Sequence, residues 1–334
     1  MSASSTPANP TPPSSEDSPL KRLAGQTILL TGGTGFIGRH LIRRLGEMDA
    51  RIHLVSRRSA DQIPRFEQLS ESGSNELQLH RLDLADRDAV LGLYEDLGAK
   101  YVFHLASHVA GSRDLDLIAP TLTDNLCSTV HLLEAAARFG CDGFVQVGSL
   151  EEPPWNPADG ESNIPSSPYA ASKSAASAYC RMFHQLYELP VSVARVFMVY
   201  GPGHQDEKKL VPYVIRSLMD GHAPSFSSGT RPVDWIFVQD VVEGFLHMAV
   251  RPELAGRQVD LGTGELHTVR QVVEMLFEKM DAPEPPAFGG RGDRAQEQVR
   301  RADVQATEGL LDWRPAISLE EGLTHTIQGL RADS

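Results

Sequence analysis

From residue 27 onward, short apolar runs alternate with amphipathic stretches. TILLT at 27–31 reads as a buried strand, and RIHLVS at 51–56, LQLHRLD at 77–83, YVFHLAS at 101–107, GFVQVGS at 143–149 and VSVARVFMVYG at 191–201 read as five more strands. Between them the 3.6-residue period predicts helices over 36–48, 86–97, 120–139 and 168–187, the third with Leu126, Val130, Leu133 and Ala137 on one face. Strands alternating with helices imply crossover connections and a doubly wound parallel sheet, an α/β fold that binds ligands at the carboxyl ends of its strands. After residue 201 the pattern loosens. Helices are expected over 207–219, 239–250 and 268–280, with Gly and Pro clustered at 221–232 and 283–292. Ahead of all this, residues 1–20 are rich in Ser, Pro and Thr and too poor in apolar groups to offset the entropy of ordering, so a disordered tail is expected. The expected organisation is therefore a tail (1–20), a dinucleotide-binding domain (21–200) and a smaller substrate lobe (201–334) that interleaves with it.

The first strand runs into Thr31-Gly32-Gly33-Thr34-Gly35-Phe36-Ile37-Gly38 and then a helix. Glycines at 32, 35 and 38 permit a tight turn, close approach of backbone to a pyrophosphate, and close helix–strand packing, and the free N–H groups of the helix start hold the anion. In this context the run is the fingerprint of a Rossmann dinucleotide site. Gly32, Thr34, Gly35, Phe36, Ile37 and Gly38 are its candidate contacts. The second strand ends in Ser56-Arg57-Arg58-Ser59, with no acidic residue before Asp61 to accept from a ribose 2′-hydroxyl. Arg57 and Arg58 suit a 2′-phosphate, which favours NADP(H) and leaves NAD(H) possible. Asp83, at the end of the third strand, is a candidate acceptor for the adenine amino group, or else a turn residue before a helix that Asp86 is better placed to cap.

Tyr169 and Lys173 stand one helical turn apart, and Ser149 ends the preceding strand. A Tyr hydroxyl titrates near 10. A neighbouring ammonium and a positive nicotinamide are expected to lower it, so that it exchanges a proton with a substrate oxygen while Ser149 hydrogen-bonds that oxygen. That is what hydride transfer between a carbinol or ketone and a nicotinamide requires.

With these residues the chain resembles the extended short-chain dehydrogenase/reductase family, in its nucleotide-sugar epimerase/dehydratase/reductase branch, from about residue 25 to 330. The resemblance includes His104-Leu105-Ala106-Ser107 on the fourth strand and Asn125 on the following helix. Later it takes in Tyr200-Gly201-Pro202-Gly203, Trp235 through Val242, and Leu311-Asp312-Trp313-Arg314-Pro315 with Leu319-Glu320-Glu321-Gly322-Leu323. It implies a nucleoside-diphosphate sugar as reaction partner and a homodimer whose four-helix bundle is built from helices 120–139 and 168–187. It extends the cofactor contacts to Leu84, Leu105, Ala106, Ser107, Asn125, Val147 and Val196, beside Tyr169 and Lys173, and suggests His108, Glu151, Met198, Arg231 and Arg291 for the substrate.

Departures from the family pattern narrow the reaction. Dehydratases follow their catalytic Thr with Asp-Glu; here Ser149 is followed by Leu150-Glu151, and Leu cannot protonate a leaving hydroxyl. Met198 stands where an Asn often contacts the sugar nucleotide. Val233 replaces the usual Arg, although Arg231 lies two residues earlier. Arg291-Gly292-Asp293 resembles the element that holds diphosphate and ribose. These features resemble deoxysugar 4-ketoreductases more than UDP-galactose 4-epimerases. The cofactor reading points the same way, because an epimerase recycles a retained NAD whereas a reductase consumes NADPH from solution. The expected activity is NADPH-dependent reduction of a nucleoside-diphosphate 4-keto-6-deoxyhexose. An epimerase with retained NAD and a non-catalytic dinucleotide sensor are the alternatives.

Composition removes other classes. Among 334 residues, 31 Lys+Arg face 44 Asp+Glu, and a net charge of −13 speaks against a nucleic-acid-coating surface. No apolar run reaches the about 18 residues of a membrane helix, and the N-terminal stretch lacks the apolar core of a secretory signal. Cys127, Cys141 and Cys180 are too scattered for a disulfide framework or a metal site and read as buried thiols of a cytoplasmic protein. No metal is expected from His108, His184, His204 or His222. Trp155, Trp235 and Trp313 read as packing residues, Arg43-Arg44 as exposed on the first helix, and Lys208-Lys209 as either a diphosphate contact or a solvated helix start.

Overall fold

The computed structural model describes residues 18–72, 77–110, 112–153, 164–292 and 299–332. Residues 1–17, and with them nearly all of the expected tail, lie outside this set, as do Pro154, Trp155, Pro157 and Asp293. The tail boundary moves inward: Pro19–Leu23 forms a 3₁₀ turn whose Leu20 and Leu23 are buried, so residues 19 and 20 belong to the folded body.

Seven parallel strands form the main sheet: β1 (Thr27–Thr31), β2 (Arg51–Ser56), β3 (Leu77–Arg81), β4 (Tyr101–His104), β5 (Gly143–Ser149), β6 (Val191–Val196) and β9 (Gln258–Leu261), in the order β3-β2-β1-β4-β5-β6-β9. The order reverses direction between β1 and β4, which opens a crevice at the carboxyl ends of those strands. Period-two alternation fills both faces. Ile28, Leu30, Phe103, Val145 and Ala194 join one core, with α1 (Phe36–Gly46), Leu69 of α2 (Phe66–Ser72), α8 (Val238–Ala249) and Leu311 of α10 (Val304–Leu311). Leu29, Val102, Phe144 and Val193 point the other way, onto α3 (Arg87–Leu97), α5 (Ser128–Phe139) and α6 (Pro168–Tyr187). Burial on both faces is the reason the inner strands β1, β4, β5 and β6 read as largely apolar runs, whereas β3 at the edge has no buried residue. This is a Rossmann-like α/β fold.

The run at 191–201 is not one strand. Phe197 donates its N–H to Leu261 O of β9 at 3.0 Å, and the chain then leaves the sheet. Residues Met198–Tyr200 form β7 of a second sheet, parallel to β8 (Pro232–Phe237), which pairs antiparallel with β10 (Leu266–Thr268). A separate core gathers there with α7 (Leu210–Met219), α9 (Val269–Lys279) and α11 (Leu319–Ala332). Trp235 and Trp313 are buried in apolar clusters.

Helix ends differ from expectation for local reasons. Helix α1 stops at Gly46, two residues early, and Asp86 caps α3 by accepting from Ala89 N–H at 3.1 Å. The segment 120–139 is not a regular helix: α4 (Ile118–Thr121) passes through a π turn over Leu122–Cys127 into α5. Pro120 has no N–H to give to the helical ladder, and Thr121, Ser128 and Thr129 each return a hydroxyl to the carbonyl four residues back. Arg44 is not simply exposed; its guanidinium reaches Glu243 of α8 at 2.5 Å. Cys180 is buried, whereas Cys127 and Cys141 are only half-buried.

Candidate active site

The glycine turn packs as the fingerprint requires. Gly32 sits at φ +70°, and a Cβ there would come within 2.5 Å of Ala106 N, so the turn lies directly against the end of β4. A Cβ on Gly38 would strike the carbonyl oxygen of Gly32. Gly35 is the N-cap of α1, whose first turn carries no acidic residue to repel an anion. The residues present therefore fit a dinucleotide pyrophosphate.

Arginines surround the mouth of this turn. Arg58 donates to Thr34 Oγ1 at 3.1 Å, and Arg39 donates to Thr34 O at 3.1 Å and Pro64 O at 2.7 Å. Burial, with Arg58 and Arg65 close by, pulls the Arg39 guanidinium below its ordinary value. Arg57 is engaged elsewhere, as a two-pronged pair with Asp124 at 3.2 Å. Arg39 and Asp124 were not foreseen from the sequence. Asp83 is exposed and its Oδ1 accepts from Ala85 N–H at 3.0 Å, the turn role weighed for it. Leu84 packs on the second core and its carbonyl meets the His131 ring at 2.8 Å.

The H-L-A-S segment is tied down by a buried polar chain. Thr31 Oγ1 accepts from Ala106 N–H at 3.1 Å and lies 2.6 Å from His104 Nδ1, while His104 Nε2 lies 3.1 Å from Thr129 Oγ1. Thr129 donates to Asn125 O at 2.6 Å. The donors run in one direction only if His104 is neutral with its proton on Nε2. Burial agrees, pushing that imidazole down to about 3, with Lys173 adding to the effect. Asn125, placed by the π turn, joins three segments. Its Oδ1 accepts from Ser107 Oγ at 3.0 Å and His108 N–H at 2.6 Å; its Nδ2 donates to Ser172 Oγ of α6 at 2.9 Å. A π turn at a functional site is a recurring device.

Helix α6 starts with Ser167 as N-cap, accepting from Ala170 N–H at 3.1 Å, and Pro168 in the first turn. Tyr169 and Lys173 then face the end of β5, both buried. Lys173 Nζ donates to Val147 O at 2.9 Å and lies 5.9 Å from the Tyr169 ring centroid. The Ser149 side chain lies beside the Tyr169 hydroxyl and favours its ionised form. Ser149, Tyr169 and Lys173 thus form one cluster at the crevice. The expected lowering of the Tyr169 hydroxyl is not produced by the protein's own groups. Burial raises it, Ser149 opposes, and Glu151 and Glu152 add to the rise. Lys173 is pushed down to about 8 by burial, against Glu152, which raises it. Val196 lies beside Ser149 in the sheet register.

The substrate candidates are more dispersed. His108 Nδ1 is 3.7 Å from Asp124. Glu151 donates its N–H to Ser149 Oγ at 3.2 Å. Met198 pairs with Trp235 in the second sheet, and Arg231 immediately precedes β8 there. Arg291 is exposed, donating to Tyr213 Oη at 3.2 Å with its guanidinium 5.3 Å from that ring. Lys209 is the N-cap of α7, and Lys208 is exposed beside it.

Residues 28–262 match the NAD dependent epimerase/dehydratase family. The chain belongs to that family. Among its members, a UDP-glucose 4-epimerase of Mycolicibacterium smegmatis is 30% identical over 318 residues, covering 92% of this chain and 99% of the relative. A dTDP-glucose 4,6-dehydratase of an Actinoplanes species is 29% identical over 325 residues, covering 92% and 98%. The solved structure of an epimerase from Methanothermobacter thermautotrophicus superposes with a TM-score of 0.82 at 26% identity, covering 94% of this chain and 95% of that one. Like other members of the epimerase/dehydratase family, this is an NAD-dependent type of enzyme. Among the described residues no helix is long and apolar enough to cross a membrane.

Proposed function

We propose that this family member is an NADPH-dependent reductase acting on the 4-keto group of a nucleoside-diphosphate 6-deoxyhexose, a 4-ketoreductase of deoxysugar biosynthesis. The observation that carries the choice of cofactor is the guanidinium cluster at the glycine turn: Arg58 on Thr34, with Arg39 behind it. Such a cluster suits a 2′-phosphate. When bound, the dinucleotide supplies the hydride. The Tyr169 hydroxyl gives its proton to the substrate oxygen, and Ser149, beside the same hydroxyl, polarises that oxygen. Lys173, anchored on Val147 O, places a cation beside the Tyr169 ring. Leu150 after Ser149 offers no acid for eliminating water, which speaks against 4,6-dehydration.

A second reading, epimerisation with retained NAD, is favoured by the 30% identity to a UDP-glucose 4-epimerase. Two measurements separate them. Denaturing the purified protein and identifying any released dinucleotide gives stoichiometric NAD for the epimerase. An NADPH-oxidation screen across dTDP-, CDP-, GDP- and UDP-linked 4-ketosugars gives turnover for the reductase.

We also propose a homodimer. Ile118 and Leu122 before α5, and Leu186 and Tyr187 on α6, are exposed apolar side chains on the helices that would pair. Light scattering at twice the 36.5 kDa chain mass supports this; a monomer contradicts it.

A further inference from the structure

The turn after β5 contains a buried carboxylate that the mechanism above does not use. Glu152 is only 4% exposed. Its Oε1 accepts from Ser149 N–H at 2.7 Å, and its Oε2 accepts from Ser177 Oγ of α6 at 2.6 Å and Gln258 Nε2 of β9 at 3.2 Å. Its own carbonyl accepts from Arg300. The β5 backbone closes over it: a Cβ on Gly148 would come within 2.5 Å of Oε1. With both oxygens met by the chain's own donors, Glu152 acts through its neighbours, and those neighbours are the site itself. Ser177 stands one helical turn after Lys173, so the carboxylate lies on the Lys173 face of α6. Its charge acts on Tyr169, Lys173, Cys180 and Arg181 of that helix, Arg300 from the segment before α10 meets its carbonyl, Glu151 adds its charge at Tyr169, and neutral His104 of β4 feels Lys173.

We propose that Glu152 is a positioning residue of the Ser149–Tyr169–Lys173 cluster, fixing Ser149 through its backbone N–H and setting a buried acidic group on the face of α6 that carries Lys173. This rests on the catalytic reading of that cluster. The physical reason is that a buried ammonium with a single carbonyl acceptor is costly, and an opposite charge nearby offsets the cost. Burial and Glu152 pull Lys173 in opposite directions, so removing the carboxylate leaves burial opposed only by the smaller effect of Cys180. The same charge favours the protonated Tyr169 hydroxyl, the form that donates.

Two readouts test this. In full-length protein labelled with ¹³C-lysine, the Lys173 Cε resonance is titrated in the native chain, Glu152→Gln and Glu152→Asp. Glu152→Gln is expected to titrate lower by on the order of one pH unit, and Glu152→Asp close to native. A native-like titration in Glu152→Gln overturns the inference. Should that variant not fold, Glu152→Asp decides through kinetics. Its shorter arm withdraws from Ser149 N–H, so kcat is expected to fall at least about tenfold with KM nearly unchanged; an unchanged kcat overturns the inference. Tyr169→Phe serves as the control. If that variant retains turnover, the catalytic reading fails, and the lysine titration still judges the charge role of Glu152 separately.

Discussion

Asp234 on β8 ties the two sheets together, and its removal has a calculable cost. Its carboxylate is 1% exposed and accepts from Thr263 N–H at 2.7 Å, Thr263 Oγ1 at 2.8 Å, Gly264 N–H at 2.9 Å and Ala302 N–H at 2.9 Å. One side chain of the second sheet thus fixes the turn after β9 and the segment leading to α10. Asp234→Ala leaves three backbone donors without their acceptor. A fully buried donor without a partner costs about 1–3 kcal/mol. Ala302 is buried, while Thr263 and Gly264 are half-buried and regain some hydration, so the expected loss is about 3–5 kcal/mol. Asp234→Asn keeps one oxygen and is expected to lose roughly half as much. Urea unfolding followed by tryptophan fluorescence measures both, because Trp235 is the next residue. A loss below about 1 kcal/mol in Asp234→Ala would refute the reasoning.

Three further outcomes are expected. His104 is neutral in the folded chain and ordinary in the unfolded one, so the unfolded state alone takes up a proton as pH falls below about 6.5. Stability should therefore decline from pH 6.5 toward 3, by about 2 kcal/mol at pH 5, a slope that His104→Gln reduces in urea titrations. With Lys173 at about 8, kcat/KM should fall as pH rises through that value; a profile flat to pH 10 contradicts the assigned role. Gly32→Ala forces a Cβ against Ala106 N at φ +70° and should lower both the melting temperature and dinucleotide affinity; calorimetry with and without NADPH would reveal either effect to be missing.

Strands buried on both faces were legible because their central positions are apolar: Ile28, Leu29 and Leu30 serve two cores in turn. The same uniformity concealed where strands end. YVFHLAS continues as an apolar run past His104, where the ladder stops, and VSVARVFMVYG gives no hint that Phe197 leaves one sheet for another. Strand β9, only four residues with Gln258 and Asp260 among them, has too short a pattern to stand out. At the site, Ser149, Tyr169 and Lys173 were visible from their spacing. Glu152 was not, because a glutamate followed by prolines reads as solvated loop. Its burial depends on Ser177 and Gln258, 25 and 106 residues away. Arg39 likewise reads as an ordinary polar helix position until the fold brings Arg58 and Arg65 beside it.

The most direct test of the reductase reading is the rate of NADPH oxidation with a nucleoside-diphosphate 4-keto-6-deoxyhexose, native chain against Tyr169→Phe. The account predicts turnover in the native chain and a loss of about 10²–10⁴-fold in the variant, the range for removing a general acid. Equal rates in the two would contradict it, as would a native chain that interconverts sugar nucleotides on a bound NAD and never consumes NADPH.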